Sequence, residues 1–132
     1  MQLLINLDVP DLQAAETLYR QAFGLTTGRR FGDDVVELLG AQAPIYLIRA
    51  AAGSDGAPGS PRHYDRHWTP VHLDVVVEDL DAALATAIQA GLHPETSIRE
   101  ARWGRIVRLA DPFGHGWCLL QFIGRGYDEI VT

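Results

Sequence analysis

The sequence predicts an α+β fold made of two tandem β-α-β-β-β modules, and three observations predict it. A strand-to-helix junction occurs twice, as Met1-Gln-Leu-Leu-Ile-Asn-Leu-Asp-Val-Pro-Asp11-Leu12 and as Val71-His-Leu-Asp-Val-Val-Val-Glu-Asp79-Leu80, about half the chain apart. Each junction leads into a segment whose apolar residues recur at helical spacing. Each helix is then followed by three short β-prone runs separated by turn residues.

In the first junction Leu3, Ile5, Leu7 and Val9 alternate with Leu4, Asn6 and Asp8. Alternation with one uniformly aliphatic side is the pattern of a half-buried strand. Asp11 is placed to cap the following helix, since its carboxylate can accept from amides of the first turn that have no helical partner. Leu12, Ala15, Leu18, Tyr19, Ala22 and Phe23 form the apolar stripe, and Gly24 suits the left-handed residue that commonly ends a helix. Strands are expected at 26–31, 34–39 and 44–49.

Residues 51–70 are rich in Gly, Pro and Ser and then in charge. A stretch of that length is long for a connection inside a compact domain, and reads as a tether between modules or as a working loop. The first module then covers about 1–50 and the second about 71–123, with a short tail.

The second module repeats the logic. Leu73, Val75 and Val77 alternate with His72, Asp74 and Val76; Asp79 is the cap; Leu80, Ala83, Leu84, Ala87 and Ile88 are the stripe; Gly91 is the stop. Strands are expected at 96–101, 105–109 and 116–122.

Composition narrows the function. Of 132 residues, 47% are hydrophobic and 21% charged, which are ordinary values for a folded chain. Eleven basic against 17 acidic residues give a net charge of −6, the wrong sign for neutralising phosphates, so no nucleic-acid partner is expected. A cationic or neutral small ligand is electrostatically easier. The lone Cys118 cannot form an intramolecular disulfide, and no Cys-x-x-Cys pair is present to hold a structural zinc. No basic region precedes the first apolar stretch, and no run reaches the roughly 18 apolar residues of a membrane span. A cytoplasmic protein with no membrane partner is expected.

Two motifs extend the pattern: Leu18-Tyr19-Arg20-Gln21-Ala22-Phe23-Gly24-Leu25 at the first helix end, and Asp111-Pro-Phe-Gly-His-Gly-Trp117 before the last strand, with Trp103-Gly104-Arg105 upstream of it. In this order and spacing the chain resembles the vicinal oxygen chelate superfamily of glyoxalases, bleomycin-resistance proteins and extradiol dioxygenases. That resemblance implies a curved mixed sheet forming a cup, with helices on the outer face. Leu3, Ile5, Leu7, Leu73, Val75 and Val77 would pack under the helices, and Leu4, Asn6, Asp8, His72, Asp74 and Val76 would point inward. It also implies a homodimer.

Enzymes of that group bind a divalent metal through the first and last strands of their modules. Carried over, those positions fall on Leu4, His72, about Tyr46 and Cys118. Only His72 is a standard ligand in place, so no metal is expected. The alternative is Zn, Mn, Fe or Ni held by His72 and Cys118 with Tyr46 or Asp74 as a third ligand. His72 and Cys118 are also the candidate catalytic pair, because an imidazolium beside a thiolate would activate it. The plainer readings are a hydrogen-bonded histidine in a ligand cup and a cysteine packed as a small hydrophobe. His63 and His67 have metal spacing in a loop context and read as solvated, and His115 reads as part of a hairpin.

Tyr46, Trp68, Trp103 and Phe113 are the aromatic candidates for an apolar cleft, joined by Asn6, Asp8, His72, Asp74 and Cys118 as polar ones. Each aromatic is equally accounted for by core packing, and both aspartates by wet strand ends. The expected function is binding of a small organic ligand without alteration, in the manner of bleomycin-resistance proteins. The rival is a metal-dependent lyase, isomerase or dioxygenase. Inward-facing Asp8 and Asp74 predict a planar or aromatic ligand bearing a positive or hydrogen-bond-donating group.

Overall fold

A computed structural model describes residues 1–132. The chain divides into two compact units, Met1–Asp65 and Arg66–Thr132.

The first unit contains β1 (Ile5–Val9), α1 (Leu12–Phe23), β2 (Thr26–Phe31), β3 (Val35–Leu39) and β4 (Ile45–Arg49). Its sheet runs β1-β4-β3-β2, with β1 parallel to β4 and the other pairs antiparallel. Asp11 caps α1 by accepting from the Ala14 amide at 3.0 Å, and Gly24 follows the helix with φ 67°. The helix buries Ala15, Leu18, Tyr19 and Ala22 against β2, β3 and β4. Val9, Val36, Leu38 and Leu47 are fully buried on the helix side of the sheet. Leu3 departs from expectation: it precedes β1 and is 67% exposed, so the buried alternation begins only at Ile5.

The expected tether is partly structured. A small hairpin, β5 (Asp55–Ala57) with β6 (Ser60–Pro61), occupies the Gly- and Pro-rich stretch and belongs with the first unit. Two side chains tie the segment after it to β1 and β4: Arg62 pairs with Asp8 at 2.7 Å, and the Tyr64 hydroxyl donates to the Ala50 carbonyl at 2.6 Å.

The second unit contains β7 (Leu73–Val76), α2 (Leu80–Ala90), β8 (His93–Pro94), β9 (Arg99–Ala101), β10 (Gly104–Ala110) and β11 (Gly116–Phe122). Its path is β7-β11-β10-β8, with β9 also pairing β10, and β7 runs parallel to β11. Asp79 caps α2 through the Ala82 amide at 3.0 Å. Leu80 and Ala87 are buried in α2, which packs against β11. Gln121 Oε1 accepts from the Leu80 amide and Arg105 pairs with Asp81, which fixes their side of the sheet as the helix side. The aliphatic alternation of both first strands and both N-caps are as the sequence predicts.

The Asp111-to-Trp117 hairpin is organised by one buried carboxylate. Asp111 accepts from the amides of Phe113 and His115 at 2.8 and 3.1 Å and from the indole N–H of Trp117 at 2.9 Å, with the His115 ring at 3.0 Å. Full satisfaction is what lets a carboxylate sit 6% exposed among Leu109, Phe113 and Trp117.

Candidate functional site

Strand alternation decides which residues lie on the face away from each helix. In the second unit the register pairs Asp74 with Cys118 and Cys118 with Arg108, which puts these three in one row across β7, β11 and β10. His72, two residues before Asp74, stands beside it, with Nδ1 3.2 Å from Asp74 Oδ1. One ligand atom each from His72, Asp74 and Cys118 lies within 4.8 Å of the others.

Cys118 is buried, and its thiol is pushed up to about 11, first by loss of water around the charged form and then by the Asp74 carboxylate, which also accepts the thiol's hydrogen bond. Both causes penalise the thiolate, so at neutral pH the sulfur holds its proton. A nucleophile needs the reverse arrangement.

An open cavity of about 390 Å³ adjoins Cys118, and its origin is a bulge. Pro94 pairs with Leu109 and Arg99 pairs with Ile106, so residues 95–98 stand opposite only Val107 and Arg108. The surplus chain leaves the ladder. The continuous strand expected at 96–101 is therefore confined to Arg99–Ala101. Thr96 Oγ1 accepts from the Arg108 amide at 3.1 Å, and the segment 96–99 walls the cavity opposite Ile106 and Arg108.

The first unit carries a bulge in a comparable place. Thr27 pairs with Leu38 and Arg30 with Val36, leaving one extra residue on β2. Thr27 and Arg30 consequently both reach the helix side, where each bonds Glu16 of α1. Gly28 and Arg29 are left to the other face. There Arg29 grips Glu37 side-on, Nε to Oε2 at 3.0 Å and Nη2 to Oε1 at 2.6 Å, and the Tyr46 hydroxyl donates to Oε1 at 2.6 Å. Arg29 and Tyr46 hydrogen bonds hold the 4%-exposed Glu37 carboxyl down at about 2.

The sequence candidates distribute as follows. His72, Asp74 and Cys118 come together. Tyr46, in the first unit, is engaged with Glu37 and Arg29. Asn6 is exposed on β1 beside Tyr46. Asp8 is paired with Arg62, so the acidic wall expected from its inward position is neutralised. Trp68 is 82% exposed, Phe113 is buried in the Asp111 hairpin, and Trp103 packs with Phe122 and Tyr127 at 6.4 and 5.3 Å between ring centres. Arg108, Arg99, Glu37 and Arg29 were not singled out by sequence reasoning. Glu37 had a usable signal, an acid at the centre of Val35-Val36-Glu37-Leu38-Leu39.

The resemblance implies a metal, and the donor set can be judged on its chemistry. One imidazole nitrogen, one carboxylate oxygen and one sulfur give the count of an open zinc-type centre. The sulfur disfavours magnesium or manganese. An ion there would have to displace the proton that burial and Asp74 keep on Cys118.

The two α+β units, each with its first strand paired in parallel with a later strand of the same sheet, β1 with β4 and β7 with β11, and each carrying one helix, define the class of fold. The chain belongs to the glyoxalase-like domain family, whose model matches residues 4–120. Its fold is that of a glyoxalase/bleomycin resistance protein/dioxygenase family enzyme from Burkholderia phytofirmans, with TM-score 0.73 and 18% identity over 90% of this chain and 96% of that one. The fosfomycin resistance protein of Listeria monocytogenes is similar too, with TM-score 0.74 and 16% identity over 99% and 98%. An uncharacterized protein of Mycobacterium tuberculosis is 43% identical over 54 residues, 40% of this chain, a match spanning 32% of that protein. No helix is long and apolar enough to cross a membrane.

Proposed function

We propose that the protein binds a small organic molecule in the second unit, in the cavity bounded by the 96–99 bulge, Ile106, Arg108 and Cys118, without a catalytic metal. The observation that carries this reading is the bulge itself. It opens a cavity of about 390 Å³, within the range of small-molecule sites, on the sheet face away from α2. Ile98, Ile106 and the protonated Cys118 supply apolar surface, and Thr96 and Arg108 supply polar groups for orientation. His72 and Asp74 flank Cys118 as a hydrogen-bonded pair.

A fragment screen followed by protein amide chemical shifts tests the reading. Bound fragments should perturb residues 96–99, 106, 108 and 118, and Ile106→Trp, which fills the cavity, should abolish those shifts while the rest of the spectrum persists. Mass spectrometry of the recovered ligand should find it unaltered. Hits scattered elsewhere would remove the site, and a chemically changed ligand would replace binding by catalysis.

A second reading rests on the mutual approach of His72, Asp74 and Cys118. These residues would hold a zinc-type ion, which would supply Lewis-acid activation of an oxygen-bearing substrate in the adjoining cavity.

A further inference from the structure

Resting on the reading of the second-unit cavity as a ligand site, we infer that its ligand is an amphiphilic oxyanion: an apolar body with a carboxylate- or phosphate-type head. The lining contains two guanidinium groups, Arg99 and Arg108, and no acid. The register pairs Arg99 with Ile106, and Ile106 alternates with Arg105 on the helix side, so Arg99, Ile106, Arg108 and Cys118 share the face away from α2. Arg99 forms no ion pair. Arg108 reaches Glu95 only at 3.3 Å through Nε, while Glu95 is already held bidentately by Arg66 at 2.9 and 3.0 Å. Glu95 therefore cannot neutralise both arginines, and Glu100 turns to Arg105 at 3.5 Å.

Hydroxyls complete the recognition surface. Thr96 Oγ1 accepts from the Arg108 amide, which leaves its own proton to donate, and Ser97 beside it makes no hydrogen bond within the chain. Guanidinium groups with neighbouring hydroxyl donors are suited to planar or tetrahedral oxyanions. This local excess of positive charge sits in a chain of net charge −6, so it is a feature of the cavity and not of the surface at large. It reverses the cationic preference expected from Asp8 and Asp74. Asp8 is cancelled by Arg62, and Asp74 is not part of the lining, its carboxylate being engaged by His72 and by the thiol of Cys118, the lining residue beside it. Ile98 and Ile106 meet the apolar body.

Benzoate, benzyl alcohol and benzylamine share one ring and differ in the charge of the head, so amide shifts in titrations of the full chain with each, and with inorganic phosphate, test the class. Benzoate should shift residues 96–99, 106 and 108 saturably, more tightly than the other three. Arg99→Gln and Arg108→Gln should each weaken it about tenfold, the scale of one lost charge-assisted hydrogen bond. Arg99 is exposed, so its substitution leaves packing intact. Benzylamine or benzyl alcohol binding there as well as benzoate, or benzoate indifferent to Arg99→Gln, overturns the oxyanion head while sparing the cavity as a site. Phosphate matching benzoate overturns the apolar body. Silence of these amides toward all four, with the fragment screen also empty there, removes the cavity reading along with this one.

Discussion

Gly28 stands so close to Glu37 that a Cβ added to it would lie 2.5 Å from the carboxylate oxygen Oε2. Arg29 and Tyr46 hold that carboxylate from its other sides, so it has little freedom to withdraw. Gly28→Ala should therefore destabilise the protein by about 1–3 kcal/mol, the usual cost of overpacking. Urea unfolding measures it, and in a Glu37→Ala background the same substitution should cost much less, because the obstructing oxygen is gone.

Glu37 also predicts a pH dependence with a definite sign. Its folded-state carboxyl titrates at about 2, below the usual 4.5, so the unfolded chain binds its proton first on acidification. Its contribution to stability is fully present above about pH 4.5 and is lost as the pH falls through about 2. Glu37→Gln should lower stability at neutral pH and flatten the acid limb of the stability curve. Equal acid slopes in the two proteins would show that Arg29 and Tyr46 do not hold the charge.

Cys118 should resist alkylation. With its thiol at about 11, the rate with iodoacetamide in the native protein should keep rising toward pH 11, whereas the unfolded chain should level off near 9. Asp74→Asn, which removes the neighbouring negative charge, should move the native profile downward.

Metal binding separates the two functional readings. Under the metal-free reading, micromolar zinc gives no saturable thermal shift. A shift of several degrees abolished by His72→Ala, with a sulfur-to-cobalt charge-transfer band on Co²⁺ substitution that Cys118→Ser removes, would establish the zinc-type reading.

The helix caps give the plainest test of the fold. Asp11→Ala and Asp79→Ala should each cost about 1 kcal/mol in unfolding measurements, because each leaves a first-turn amide without its acceptor.

Much of the fold was legible because period two survives in the first and last strands. Ile5, Leu7 and Val9, like Leu73 and Val75, fall on the helix side as their alternation demands. What escaped has a common cause. At Gly28–Arg29 and at 95–98 surplus residues break the alternation, and the charged groups that each bulge places, Arg29 against Glu37 and Arg99 near Arg108, cannot be assigned a face by counting in twos. The Asp8–Arg62 pair was hidden for another reason, since the two residues are far apart in the chain and meet only when the segment after the hairpin folds back. Conversely, His72 and Cys118 were legible from the resemblance, but Asp74's hold on the thiol depends on the parallel register of β7 and β11.

That parallel register also sets a timetable. In each unit the first strand made by the ribosome, β1 or β7, finds its sheet partner only in β4 or β11, the last long strand of the unit to emerge. Until then the first strand has no ladder to join, and the helix has only part of its sheet to cover. Each unit must therefore delay closure until nearly all of it has been synthesised, and the price of early release is an unpaired, aliphatic β1 or β7 edge available to other chains. A nascent chain stalled just before β11 should accordingly be protease-sensitive across 71–110, becoming protected over the next few residues of synthesis in a single step.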